Sequence, residues 1–293
     1  MIAAGEMGRL RQQYPHIFPS AYRRYLPLVL AAVALVGGLG VGAWYLGVSP
    51  ARLWNGLSRL GIIAVDLLRP HSGGAFWELT RSLLESIAMA FLGTLIAAVI
   101  ALIIGFAGAR NVVPVRFLRF PVRRIFDALR GVDSLVWALI YVRAVGLGPL
   151  AGVLAIATSD IGTLAKLNAE AIEDCDRNQS EGVRASGGNA AQVIRFGMLP
   201  QVLPIMLSNA LYMFESNTRS ATILGIVGAG GIGFQLADRI RAHRWEEVSF
   251  IIIMIVVAVY GIDTISRFLR ARLIHAGVSR TAMVQASPVN TPS

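Results

Sequence analysis

A chain of 293 residues that is 55% hydrophobic and only 15% charged, with a mean hydropathy of +0.61, is far poorer in charge than the roughly 25% of ordinary soluble domains. That balance excludes a disordered chain, a coiled coil and a disulfide scaffold, and it argues against a soluble enzyme. The net charge of +10 comes from 27 basic against 17 acidic residues, and the basic residues cluster between long apolar runs, the pattern of a one-domain polytopic membrane protein rather than of a nucleic-acid binder.

Residues 1–26 read as a polar N-terminal tail carrying Arg9, Arg11, Arg23 and Arg24. Residues 27–47 carry no charge, and as a helix they rise about 31 Å. That is enough to cross a hydrocarbon core and too long for the apolar stretch of a signal peptide. Residues 48–80 read as a mixed loop, with Trp54 and Trp77 suited to a membrane interface and a break at Pro70–Gly74. A second uncharged span covers 86–109. It leads to the densest basic loop, with Arg110, Arg116, Arg119, Arg123, Arg124 and Arg130. The third helix starts within 125–134 and ends at the turn Gly146-Leu147-Gly148-Pro149; the fourth covers about 149–167.

Residues 168–198 are polar, with Glu170, Glu173, Asp174, Asp176 and Glu181 close together. A fifth span starts near Leu199, stays apolar to Phe214 and then meets Glu215-Ser216-Asn217-Thr218-Arg219. A short run, 221–227, reaches a glycine-rich turn; 234–247 reads as a short charged helix, and the last span as about 248–266. The expected organisation is a cytoplasmic tail at 1–26, a transmembrane domain at 27–275 with a docking region at 170–198, and a disordered cytoplasmic tail at 276–293. With six spans, 18 basic residues fall on the side of the termini and 8 on the other, which places both termini in the cytoplasm.

Several chemistries are excluded. A P-loop needs Lys followed by Ser or Thr, but Lys166, the one lysine, precedes Leu167. Cys175 is alone, and His16, His71, His243 and His275 share no ligand spacing, so neither a disulfide nor a metal site is expected. Gly228-Ala229-Gly230-Gly231-Ile232-Gly233 fits GxGxxG, and Glu247 follows at about the ribose-binding distance. A membrane span follows instead of a βαβ unit, so the glycines read as a close-packed turn at the outer end of the fifth helix, a gate or a landing point for a binding protein. No paired catalytic carboxylates, HExxH or Ser–His pairing suggests an enzyme.

The stretch 181–200, EGVRASGGNAAQVIRFGMLP, is patterned as an amphipathic helix–turn–helix that docks on something. Gly187 follows Glu181 by six positions, and Leu199-Pro200 stands at the start of the next apolar run. This spacing resembles the EAA motif of ABC importer permeases, in which the Glu opens a helix and Leu-Pro opens the next span. Gly182 and Val183 replace the usual two alanines, and Gly197 stands where an Ile is common. Residues 134–155 (SLVWALIYVRAVGLGPLAGVLA) and 214–233 (FESNTRSATILGIVGAGGIG) closely resemble permeases of phosphonate ABC importers, a similarity that covers roughly 80–275. The resemblance implies an all-α, type I (MetI-like) permease fold of about six transmembrane helices in the inner membrane. It implies a homodimer, two ATP-binding ABC subunits and an extracytoplasmic phosphonate-binding protein. It also implies that this chain is not an enzyme and binds no cofactor, with ATP and magnesium on the partner subunit. Glu181, Gly182, Val183, Arg184, Ala185, Ser186, Gly187, Leu199 and Pro200 would couple to that subunit.

Charged residues inside spans are costly and normally face a bundle interior or a wet pathway. Arg143, Asp160, Glu215 and Arg219 are such residues, with Asp160 near mid-depth and Arg143 and Glu215 nearer the outer side. One reading is structural: Glu215 and Arg219 are an i,i+4 pair, and Arg143 pairs with either acid. The other is that the arginines pass an anionic phosphonate, with Ser216, Asn217 and Ser220 as neutral donors. A proton-coupled secondary transporter built on Asp160, Glu215 or Asp263 is the competing class, but the inverted repeats that would favour it are missing. Phosphite and phosphate are the competing cargoes.

Overall fold

The structure, a computed structural model, describes residues 21–285, with side chains from 25 to 272. Among the described residues all regular structure is helical. The chain divides into two units, 1–65 and 66–293. Most of the two sequence-predicted tails falls outside the described residues.

In the first unit, α1 (Ala21–Tyr45) carries nearly all of the uncharged run expected to span. Residues expected to form a loop instead form a second helix, α2 (Pro50–Leu67), which runs across the boundary between the units. Its start is locally encoded: Ser49 Oγ accepts from Arg52 N at 3.2 Å, and Pro50 sits at the first helical position. Leu53, Trp54, Leu57, Leu60 and Gly61 recur at helical spacing while Arg52, Asn55 and Arg59 interrupt them, so no uncharged run marks the helix.

The second unit is built on α3 (Phe76–Gly108) and α6 (Pro149–Glu173), two parallel helices in contact along their length. Small residues make that contact possible. Ala90, Gly93, Ala97, Ala101, Gly105 and Gly108 form a buried stripe on α3. A Cβ at Gly93 would lie 2.7 Å from Ile156 Cγ2, and one at Gly105 would lie 2.9 Å from Asn168 Cβ.

The third expected helix is two helices, α4 (Arg116–Gly131) and α5 (Ser134–Val145), both packed on α6. Extended Val132 breaks them, and Asp133 Oδ1 caps α5 by accepting from Leu135 N at 2.8 Å. The polar half, α4, lies against the Lys166 end of α6, where Lys166 Nζ meets Asp127 at 2.9 Å. The apolar half, α5, lies against the other end, where Tyr141 Oη and Thr158 Oγ1 are 2.8 Å apart. Among the described residues five helices are long and apolar enough to cross a membrane, and the broken pair, whose apolar part is the shorter Ser134–Val145, stands where the sixth was expected.

Helix α6 continues to Glu173, six residues past its expected end. It is followed by α7 (Arg177–Ala185) and α8 (Ala190–Ala229), the latter with π-helical turns at Val193–Met198 and Gly225–Ala229. The charged helix expected at 234–247 is α9 (Gly231–Arg241), which ends six residues earlier, Trp245–Glu247 belonging to the next helix. The last helix, α10 (Trp245–Gln285), runs well beyond 266 and through residues expected to be disordered.

Candidate functional site

The docking segment is assembled by short-range chemistry. Asp176 caps α7, its Oδ1 accepting from Asn178 N at 3.0 Å. Gly187 ends the helix at φ +82°, a left-handed conformation that glycine adopts without strain. No atom lies within 4 Å of a Cβ built at Gly187, so the requirement is conformational rather than steric. Gly188 is the opposite case: its Cβ would come within 2.7 Å of Val183 O. Asn189 and Gln192 then form a capping box, with bonds of 2.9 and 2.8 Å, that starts α8.

A helical turn at Ala190–Gln192 and a π-helical stretch at Val193–Met198 lead into the span, whose regular α-helix opens at Leu199 with Pro200 in its first turn, where the sequence places it. Pro200 has no N–H to donate, and Leu199 N reaches back to Ile194 O in the π-helical turn that precedes it. Gly197, the departure from the common Ile, has a role here. A Cβ at that position would sit 3.0 Å from Ser180 Cα, so the glycine lets α7 lie directly on α8. Gln201 ties the two together, with Nε2 donating to Gly197 O at 2.6 Å and Oε1 accepting from Asp176 N at 3.0 Å.

Glu181, Gly182, Arg184, Ala185, Ser186, Gly187 and Pro200 are all exposed, while Val183 and Leu199 are half-buried. The segment is a preformed ledge. Behind it lies a cavity of about 200 Å³ lined by Asn111, Cys175, Arg177, Ser180, Glu181, Arg184 and Met198. Burial pushes the Cys175 thiol above its ordinary pKa, aided by neighbouring Asp176, which disfavours the reactive thiolate.

A clamp that sequence reasoning missed anchors the ledge. The buried Glu173 carboxylate accepts from Arg110 N at 2.8 Å and pairs with Arg110 Nε at 3.0 Å and Arg123 Nη2 at 2.5 Å. Asn111 Nδ2 donates to the Ile172 and Glu173 carbonyls at 3.0 and 3.1 Å, satisfying the end of α6. The signal present in the sequence was only a run of arginines and a run of acids, with no indication of which would meet.

Within the apolar helices the polar residues divide by the faces of α8. Asn217 Nδ2 donates to Thr94 Oγ1 at 2.8 Å and to Asp160 Oδ2, joining α8 to α3 and α6 in a buried triad. Glu215, two residues away and so on the other face, pairs with Arg270 of α10 at 2.6 Å and with Arg219 at 3.7 Å. Asp263 of α10 also faces Glu215, and it pairs with Arg267 at 4.0 Å. Two residues of helix rise only about 3 Å, so Glu215 lies level with Asp160, not nearer the outer side as expected. Arg219 is half-exposed at 51% of its side chain, Ser216 is half-buried, and Ser220 Oγ donates to Ser216 O at 3.4 Å.

The expected pairing of Arg143 with an acid is not found. Among the described residues it makes no ion pair, and it lies exposed in the last turn of α5, where a cation is favoured by the helix dipole. Arg270, outside the expected last span, is the partner that sequence reasoning did not foresee.

The glycine turn is tightly packed. Gly228, Gly230 and Gly231 have φ values of +104°, +81° and +68°. Gly148 N donates to Gly228 O at 3.1 Å, which ties the turn to the start of α6. Ile232 N donates to Ser86 Oγ at 2.9 Å, and a Cβ at Gly225 would meet Gly230 O at 2.6 Å. Gly233 is buried beneath the carbonyl of Thr222. Helix, not strand, precedes the turn, and Glu247 is engaged by Arg239 at 2.8 Å, so no dinucleotide site forms here.

Helix breaks, an exposed ledge and charges buried among apolar helices are features a membrane transport component would need. Residues 97–276 match the family model of the binding-protein-dependent transport system inner membrane component, and the chain belongs to that family. It is 39% identical over 244 residues to the phosphite transport system permease protein PtxC of Stutzerimonas stutzeri, covering 82% of this chain and 88% of that protein. It is 35% identical over 240 residues to the phosphate-import permease protein PhnE of Mycolicibacterium smegmatis, covering 82% of this chain and 45% of that longer protein. The fold resembles a chain of the MetNI methionine ABC transporter in an inward-facing conformation, with a TM-score of 0.61 at 22% identity, covering 69% of this chain and 99% of that one. The all-helical, MetI-like permease fold is therefore the fold of this protein.

Proposed function

We propose that this chain is the membrane-spanning subunit of an ATP-driven importer for phosphonate or a closely related phosphorus oxyanion, phosphite or phosphate. The observation that carries the reading is the preformed ledge of residues 181–187, exposed and braced by Glu173, in a chain whose relatives are named as phosphite and phosphate permeases. Two copies pair, each with an ATP-binding subunit, and a binding protein delivers the anion from outside. Both termini lie in the cytoplasm, on the side of the ledge, as the arginine distribution argues.

ATP and magnesium sit on the ATP-binding subunits, and this chain holds no cofactor. Closure of those subunits pushes the ledge, and the rigid Gln201, Glu173 and Asn111 contacts pass the motion to α8 and α6. The helices then switch between inward and outward access. Arg219 lies along the path with Ser216 and Ser220, Glu215 stands behind it, Asp160 and Asn217 brace the opposite face of α8, Arg143 stands nearer the outer mouth, and the Gly228–Gly233 turn forms the outer gate.

The test is reconstitution of the chain with its ATP-binding subunit and binding protein in proteoliposomes. ATP-dependent uptake of labelled phosphonate, phosphite or phosphate is the expected result, and the ranking of the three anions names the cargo. Uptake that survives without ATP but collapses with the proton gradient overturns the reading in favour of a secondary transporter.

A further inference from the structure

We infer that Arg270 occupies Glu215 so that Arg219 stays free to meet the transported oxyanion, making the cluster between α8 and α10 an anion-contact site with one surplus positive charge. This rests on the reading of the chain as an oxyanion permease. The cluster holds two carboxylates, Glu215 and Asp263, against three guanidinium groups, Arg219, Arg267 and Arg270. The pairing is unequal. Arg270 takes Glu215 Oε2 at 2.6 Å and is itself largely covered, at 22% exposure. Arg219 is left with Glu215 Oε1 at 3.7 Å, beyond a good hydrogen bond, with half its side chain exposed. Arg267 leans on Asp263 at 4.0 Å.

Among the described residues no further acid pairs with these three arginines. Asp160 belongs to the opposite face of α8, where Asn217 occupies it. An unneutralised guanidinium among apolar helices is costly unless it lines a wet path or meets an anion, and its planar fork matches phosphorus oxygens. Without Arg270, the Glu215 carboxylate would have only Arg219 to neutralise it. The i,i+4 spacing would let the two close into a full ion pair, and the free charge would vanish. Arg270 is thus a positioning residue, and Arg219 the group that touches cargo. A loosely held arginine also suits transport, because a fully built pocket would retain the anion.

The experiment uses the full transporter in proteoliposomes and measures ATP-driven uptake of phosphonate, phosphite and phosphate, with assembly checked by size exclusion and by ATP hydrolysis. Arg270→Gln removes the surplus charge and is expected to lower uptake about tenfold, a change of about 1.4 kcal/mol in the transport barrier. Glu215→Gln combined with Arg270→Gln restores the surplus and is expected to recover uptake to within about twofold of wild type. Arg219→Gln is expected to lower uptake in both the wild-type and the double-variant backgrounds.

An assembled double variant that stays as slow as Arg270→Gln overturns the inference, as does normal uptake by Arg219→Gln. A double variant that fails to assemble also overturns it, because the pair would then be structural. If wild-type protein shows no ATP-driven uptake of any of the three anions, it is the parent reading that fails.

Discussion

The ledge at 176–200 and the charge clusters within the helices are built by opposite means. The caps and turns that shape the ledge span a few residues, Asp176 to Asn178, Gly188 to Val183 and Asn189 to Gln192, and only its anchoring to the bundle, through Gln201 and Glu173, reaches further. The clusters depend on residues far apart in the chain, Thr94 with Asn217 and Glu215 with Arg270. A surface that must be presented to another subunit can be made locally and left exposed. Polar groups among apolar helices need partners from other helices, because no water is at hand to replace them.

The most damaging test of this contrast lies in the long-range half. Gly93→Ile forces a branched side chain against Ile156 and Val153, and overpacking of about 3 kcal/mol or more should abolish monodisperse protein after detergent extraction. Glu173→Ala tests the join between the halves. It removes the buried acceptor of Arg110 N and of the Arg110 and Arg123 guanidinium groups and should cost about 1–3 kcal/mol, read as a fall in thermal stability, with Glu173→Gln milder. Asn217→Leu removes the donor to Asp160 and Thr94, and a loss of about 1–3 kcal/mol is expected by the same assay.

The ledge should behave differently. Gly187→Trp projects into open space and costs only about 1–2 kcal/mol for its positive φ. The protein should remain in the membrane while its pull-down of the ATP-binding subunit is lost; normal uptake by this variant would break the docking role. The smallest effect is one of labelling. A cysteine at exposed Ser186 should react rapidly with a maleimide at neutral pH and be protected by the ATP-binding subunit. Cys175, with its thiol pushed up by burial, should react more slowly.

Much of this organisation is legible without coordinates. The uncharged run of 27–47, the Gly146–Pro149 turn and the helix stop at Gly187 each carry a local physical signal, and each corresponds to an observed feature, whereas the helix expected to open at Glu181 starts four residues earlier, at Arg177, where Asp176 caps it. Helix α2 was missed because its charges hide an amphipathic period from a hydropathy reading. The split of the third helix at Val132 was missed because Asp133 reads as one more polar residue until its cap is seen. Arg143 was assigned a partner it does not meet, and Arg270 was passed over, because distance along a chain does not indicate which helices adjoin.

Composition and periodicity alone decide that this chain lies in a membrane, which apolar runs cross it, and that its polar hairpin is displayed. Those properties follow from transfer free energies and local backbone preferences, which act over one or two turns. Packing decides which arginine neutralises which acid, why glycines line α3 and why Gly197 cannot be larger. These depend on two surfaces meeting at van der Waals distance, and only the folded chain brings them together.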